Sequence, residues 1–221
     1  MRSFCSLLFC LLTLSLTAQS PDPDPSRFDA AMEKFQVQDE NRGWLDTDVV
    51  FTGSSSIRMW DLETGFPERA ILNRGFGGSH ISDVIHFLDQ TTLRYNPKVV
   101  ALYAGDNDVA AEKSAEQVFD DYLEFCSLLL EEHPDVQIIF VAIKPSLARW
   151  SVWPEMEEAN TIIAEYISQQ PNQHYLDVAS PMIIDGQPNP DLFIEDGLHM
   201  NREGYVLWEG LMNELLVELG Y

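Results

Sequence analysis

Asp196 and His199 stand three residues apart in the stretch Asp196-Gly197-Leu198-His199-Met200-Asn201. At that spacing in a loop, a carboxylate can reach imidazole Nδ1. It then fixes the tautomer and leaves Nε2 free to take a proton. Gly53-Ser54-Ser55-Ser56 offers three adjacent hydroxyls from which such a base could draw one. Gly105-Asp106-Asn107-Asp108 puts an amide donor beside a glycine, a pairing suited to a developing oxyanion. Gly75-Phe76-Gly77-Gly78 has three glycines in four positions, so its backbone can approach a partner closely. Taken singly, each stretch has an ordinary reading: a serine N-cap, a glycine turn, an Asx turn, a helix cap with a solvent-facing imidazole. Taken together they supply a nucleophile, oxyanion donors, a base and its orienter, the set that serine hydrolysis needs.

These stretches must be brought together by the elements around them. Three follow short apolar runs: Val49-Val50-Phe51, Ala70-Ile71-Leu72 and Val99-Val100-Ala101-Leu102-Tyr103. Further runs at Val136–Ala142 and Tyr175–Val178 read as strands. Between them, apolar residues recur at helical spacing over 27–40, 81–95, 115–132, 155–169 and 202–219. Strands alternating with helices predict one parallel sheet covered on both faces, an α/β fold built as a three-layer α/β/α sandwich. In such sheets ligands sit beyond the carboxyl ends of the strands, where three of the four stretches fall.

Composition bounds the rest. The 221 residues carry 13 Lys+Arg against 36 Asp+Glu, a formal charge of −23. That charge repels nucleic acid and anionic membranes as partners. With 45% hydrophobic residues the chain can bury a substantial core. Residues 1–20 begin with Arg2, continue as a short apolar run and end on Ala18-Gln19-Ser20, the pattern of a secretory signal. The run is too short to span a bilayer, so the expectation is a secreted or periplasmic protein without a stable membrane anchor. Removing it leaves Cys126 as a single thiol among apolar neighbours, which excludes an intrachain disulfide and reads as a buried, inert group. Residues 21–27, which include Pro21-Asp22-Pro23-Asp24-Pro25, read as a flexible polar spacer ahead of a domain over 28–221. The five histidines show no metal-ligand spacing such as H-E-x-x-H, and no metal or cofactor is called for.

In these motifs the chain resembles the SGNH, or GDSL, hydrolase family from about Val49 to the C-terminus. It is especially similar to the compact branch containing platelet-activating-factor acetylhydrolase catalytic subunits. The resemblance implies a flavodoxin-like parallel sheet. It places the family's nucleophile block on Gly53-Ser54-Ser55-Ser56, which selects Ser55 among the three serines by position. It places the second-block glycine on Gly78, the third-block asparagine on Asn107, and the Asp-x-x-His block on Asp196 and His199. The implied oxyanion hole is the Ser55 and Gly78 backbone N–H groups with the Asn107 side chain. The family's first-block aspartate is replaced by Ser54, which puts the rigidity of that loop in question.

On this reading the substrate is a carboxylic ester, with short acyl groups and carbohydrate esters favoured by secretion and compact length. Arg149, Trp150 and Trp153 lie after the fourth apolar run and are expected to touch substrate, the tryptophans as flat apolar faces. Arg58 and Arg74, next to the first two blocks, are expected in structural ion pairs. Two alternatives carry other functions: a lysophospholipase or thioesterase of the same fold, and a sugar-binding module without catalysis.

Overall fold

A computed structural model describes residues 20–43 and 47–221, so the expected signal over 1–20 lies, but for Ser20, outside the described residues. The five strands β1 (Val49–Gly53), β2 (Ile71–Gly75), β3 (Val99–Tyr103), β4 (Gln137–Val141) and β5 (Gln173–Leu176) form one sheet in the order β2-β1-β3-β4-β5. Every neighbouring pair is parallel. All five residues of β1 and of β3 are buried, as expected of central strands covered on both faces. The order reverses beside β1, so the carboxyl ends of β1 and β3 border the crevice at the switch in winding.

Nine α-helices occur among the described residues: α1 (Asp29–Arg42), α2 (Ser55–Arg58), α3 (Leu62–Gly65), α4 (Ile81–His86), α5 (Leu88–Thr91), α6 (Asp106–Ala110), α7 (Ala115–Glu132), α8 (Trp153–Ile167) and α9 (Arg202–Glu218). A two-stranded ribbon, β6 (Ile183–Ile184) with β7 (Gln187–Pro188), precedes the last loop. In α7 the stripe Val118, Tyr122, Phe125 and Leu129 is fully buried, each such side chain contributing about 1.5–3 kcal/mol by leaving water. Its start is set by a capping box, in which Ser114 Oγ accepts from Gln117 N and Gln117 Oε1 accepts from Ser114 N. Cys126 lies within this stripe, buried and unpaired, and burial pushes its thiol up to about 12.

Two expectations change. The helix expected over 81–95 is three pieces, α4, α5 and a 3₁₀ turn at Leu93–Tyr95. Adjacent buried threonines end α5, with the Thr91 hydroxyl donating back to the Phe87 carbonyl at 3.0 Å. The segment 21–27, expected as a flexible spacer, is packed onto the domain. Asp22 pairs with Lys113 at 2.6 Å, Ser20 Oγ donates to the Glu112 carbonyl at 2.8 Å, and Asp24 caps a 3₁₀ turn at Pro25–Phe28. This strap delivers the chain into α1 at a fixed angle, which matters for the site.

Candidate active site

The turn carrying Asp196 and His199 is clamped at both ends. Phe193 and Met200 form an antiparallel bridge, and the Ile194 N–H donates to the His199 carbonyl at 2.9 Å. Within the turn, Asp196 Oδ1 accepts from the N–H groups of Leu198 and His199 at 2.8 and 2.9 Å. Its other oxygen, Oδ2, lies 2.6 Å from His199 Nδ1. These bonds, that to the imidazole first, hold the Asp196 carboxyl down at about 2. The carboxylate is therefore ionised at any ordinary pH and positioned to keep a proton on Nδ1.

On the other side of the imidazole, His199 Nε2 lies 3.1 Å from Ser55 Oγ. The three serines after β1 thus separate by direction. Ser54 is buried, with its N–H donating to the Tyr103 carbonyl and its Oγ accepting from Asn107 Nδ2 at 2.7 Å. Ser56 is buried beneath α9, where Tyr205 donates to the Ser56 carbonyl at 3.0 Å. Ser55 alone of the three lines the cleft with His199. The sheet end turns directly into α2 here, so successive residues point to different sides, and a single position meets the imidazole.

The residues expected to supply oxyanion donors, Ser55, Gly78 and Asn107, all line this cleft. The backbone N–H groups of Ser55 and Gly78 donate to no protein acceptor among the described residues. Gly78 has φ +89°, a left-handed conformation that glycine adopts without strain. Asn107 reaches the cleft with both amide hydrogens engaged, one on Ser54 Oγ and one on the Ser79 carbonyl at 3.0 Å. For Asn107 to donate to an oxyanion, one of those acceptors must share its hydrogen. Ser54 thus stands where the family has aspartate and ties the first block to the third.

Of the three residues expected to touch substrate in the loop after β4, one lines the cleft and two do not. Arg149 does line the cleft, but its guanidinium donates to Asp106 Oδ2 at 2.8 Å and to Asn107 Oδ1 at 2.9 Å. That contact fixes which way the Asn107 amide faces. Trp150 and Trp153 do not line the cleft. They stack on each other at 5.8 Å with 13° between planes, and Trp153 borders a separate depression with Glu157 and Tyr175. Proximity to a strand end placed them correctly along the chain, but the turn into α8 sends both rings to the far side. Lys144, unassigned by the sequence, is 2% exposed and donates to the Leu198 carbonyl at 2.7 Å. Burial lowers its ammonium to about 8, and it pins the Asp196–His199 turn from beneath. Its signal in the sequence was a lysine directly following the unbroken apolar run 138–143.

His80 does not line the cleft. It caps α4, is 8% exposed, and its Nδ1 lies 3.7 Å from Asp108 Oδ1. Burial, with Lys113 next, lowers it to about 4.

The cleft itself is open and encloses about 810 Å³, within the range of small-molecule sites. Its outer wall is α1, whose sequence shows no more than the spacing of an amphipathic helix. Phe28, Ala31 and Phe35 face the cleft, and Phe28 meets Phe76 edge to face at 4.9 Å. Arg74 fastens this wall: it ion-pairs with Asp39 and lies over the rings of Phe35 and Tyr95, each at 4.9 Å. The ion pair expected of Arg74 is present; the one expected of Arg58 is not, since the Arg58 guanidinium has no hydrogen bond or ion pair among the described residues. Among the described residues, no group of three or more His, Cys, Asp or Glu is arranged to hold a metal ion, and no helix is long and apolar enough to cross a membrane.

Comparison with known proteins bears on this arrangement. No curated protein is similar enough in sequence to count as a match. Solved structures match in fold. A GDSL-like lipase from Bacteroides thetaiotaomicron has a TM-score of 0.75 at 19% identity, covering 86% of this chain and 98% of its own. A candidate platelet activating factor protein from Streptococcus pneumonia has a TM-score of 0.75 at 18% identity, covering 86% and 95%. A carbohydrate esterase family 3 structure from Talaromyces cellulolyticus has a TM-score of 0.61 at 18% identity, covering 78% and 98%. At such identities the likeness is one of fold. The model of the GDSL-like lipase/acylhydrolase family matches residues 42–207, a span that holds Ser55, Gly78, Asn107, Asp196 and His199. The chain therefore belongs to the GDSL-like lipase/acylhydrolase family and is an ester hydrolase of the GDSL type.

Proposed function

We propose that the protein is a secreted serine esterase that cleaves short-acyl or acetyl carboxylic esters, carbohydrate esters among them, through Ser55, His199 and Asp196. The observation that carries this reading is the unbroken line from Asp196 Oδ2 through the imidazole to Ser55 Oγ, at 2.6 and 3.1 Å. In the proposed cycle, His199 Nε2 takes the Ser55 proton as Oγ attacks the ester carbonyl. Asp196 stabilises the imidazolium that forms. The Ser55 and Gly78 N–H groups and Asn107 Nδ2 receive the oxyanion. The imidazolium returns its proton to the leaving alcohol, and water activated by the same base then releases the acid.

Secretion rests on the pattern of residues 1–20 and is tested by N-terminal sequencing of exported protein. The catalytic assignment is tested with a fluorophosphonate probe and p-nitrophenyl esters. Wild type is expected to be labelled at Ser55 and to turn over acetate or butyrate faster than long-chain esters. Labelling retained in Ser55→Ala and lost in Ser54→Ala would reject Ser55. Long-chain esters turning over fastest would favour the lysophospholipase reading, and absence of labelling in wild type the non-catalytic module.

A further inference from the structure

Resting on that ester-hydrolysis reading, we infer that the cleft is built for an ester whose non-reacting part carries an anion, a carboxylate or a phosphate, and that Arg58 and Lys34 receive it. With 36 acidic residues against 13 basic ones, a cation in this chain finds a carboxylate easily. Arg74 has Asp39, Arg94 has Asp89, Lys98 has Asp48 and Arg202 has Glu209. Among the described residues, the side chains of Lys34 and Arg58 have no hydrogen bond or ion pair, and both residues line the cleft that contains Ser55. They come from different walls, Lys34 from α1 and Arg58 from the end of α2. The remaining charged residue on the cleft, Arg149, is also a cation, already matched by Asp106. No aspartate or glutamate is among the described lining residues, so the side-chain charge of Lys34 and Arg58 is left uncompensated there.

The seat of Arg58 is specific. A Cβ at Gly77 would lie 2.6 Å from Arg58 Nε, so the glycine run after β2 leaves room for this side chain to lie along it, next to Gly78. Gly77 has no positive φ that would itself demand glycine; the close approach of Arg58 is what a larger residue would disturb. A guanidinium lying beside this backbone has a planar donor edge, the geometry that pairs with carboxylate or phosphate oxygens, while Lys34 adds a point charge.

Two matched pairs test the inference: an acetylated uronic acid against its methyl ester, and an acetylated sugar phosphate against the unphosphorylated acetylated sugar. Wild type is expected to favour the anionic member of at least one pair in kcat/KM by about ten- to hundred-fold, the worth of a hydrogen bond to a charged group. Which pair shows it identifies the anion. The ratio should collapse toward one in the Lys34→Gln/Arg58→Gln double variant, survive in part in Arg58→Lys, and fall in Gly77→Ala, which keeps both charges but displaces the guanidinium. Equal or better turnover of the neutral member in both pairs, or a preference that persists in the double variant, overturns the inference. Turnover of p-nitrophenyl acetate reports separately on the esterase reading. Should that fail, calorimetric titration with glucuronate and glucose phosphate decides the anion site alone: binding lost in the double variant supports it, and absence of binding to wild type overturns it.

Discussion

Lys113 and Arg58 are both cations in a strongly acidic chain, and the fold treats them in opposite ways. Lys113 is 3% exposed and has three carboxylates around its ammonium, Asp22 and Asp121 at 2.6 Å and Asp108 at 3.3 Å. Those partners come from the N-terminal strap, from α7 and from α6, so the charge serves to hold three parts of the chain together. Burial disfavours a lone ammonium, but the surrounding carboxylates raise its proton affinity above the ordinary value. Arg58 is exposed, on the wall of the cleft, and has no partner among the described residues. In this pair, the cation that holds the chain together is surrounded by carboxylates, and the cation on the cleft wall is not. Substitutions at the two regions should accordingly separate stability from activity.

The largest effect is expected at Ser55. Ser55→Ala should lower kcat on p-nitrophenyl acetate on the order of 10⁶-fold, as removal of a serine nucleophile does, with the urea unfolding midpoint unmoved. A large shift in that midpoint would blur the division. Next comes Lys113→Met, which leaves three carboxylates without their counter-ion and should cost about 3–5 kcal/mol in urea unfolding. It should also raise protease sensitivity at 20–28 while the remaining folded fraction keeps its turnover per molecule. Smaller, and back in the cleft, Arg149→Met frees the Asn107 amide to rotate, and should lower kcat by about 10–100-fold, short of the 10²–10³ for loss of an oxyanion donor outright. Because Arg149 acts through Asn107, KM for a neutral ester should move little; a change confined to KM would make it a substrate contact instead.

The smallest effect concerns pH. His80 belongs to the buried charged group, close to Asp108, Asp106, Asp22, Lys113 and Arg27, and its imidazole is lowered to about 4 from an ordinary 6.5. Between those values the unfolded chain binds a proton that the folded one refuses. Stability therefore falls as pH drops from about 6.5 to about 4, by roughly 1–2 kcal/mol after allowance for partial solvation. Burial pushes Asp108 the other way, up to about 7, so its contribution is lost as pH rises toward 7. His80→Gln should remove the first slope and leave the second, read as the difference between two urea-melt series from pH 4 to 7.5. Asp196, held at about 2, stays ionised throughout that series.

Much of the architecture was legible because two of its signals are local. The helix expected over 115–132 is α7 residue for residue, since a capping box and an apolar stripe with period 3.6 are both written in neighbouring positions. The strands over 49–51 and 99–103 are read as easily, because a strand buried on both faces is a plain apolar run. The broken helix after Ile81 was not, since what breaks it is a threonine hydroxyl bonding back to the chain and two β-branched residues turning inward. For the site, the residues after each strand were identifiable, but not which way their side chains point. Trp150, Trp153 and Arg149 are consecutive or nearly so, yet only Arg149 faces the cleft.

By itself, then, the sequence determined the order of strands and helices, the acidity, and the four short stretches that carry a hydroxyl, an amide, glycines and an Asp-His pair. Those depend on residue type and on spacing of a few positions. The resemblance had singled out Ser55 among the three serines, but only the tertiary structure decided that α1 walls the cleft, that Arg149 turns to Asn107, and that the Arg58 guanidinium stays without an ion pair. Each of those is a contact between segments tens of residues apart. The direction of a side chain there is set by how whole layers pack, and no local pattern in the chain encodes it.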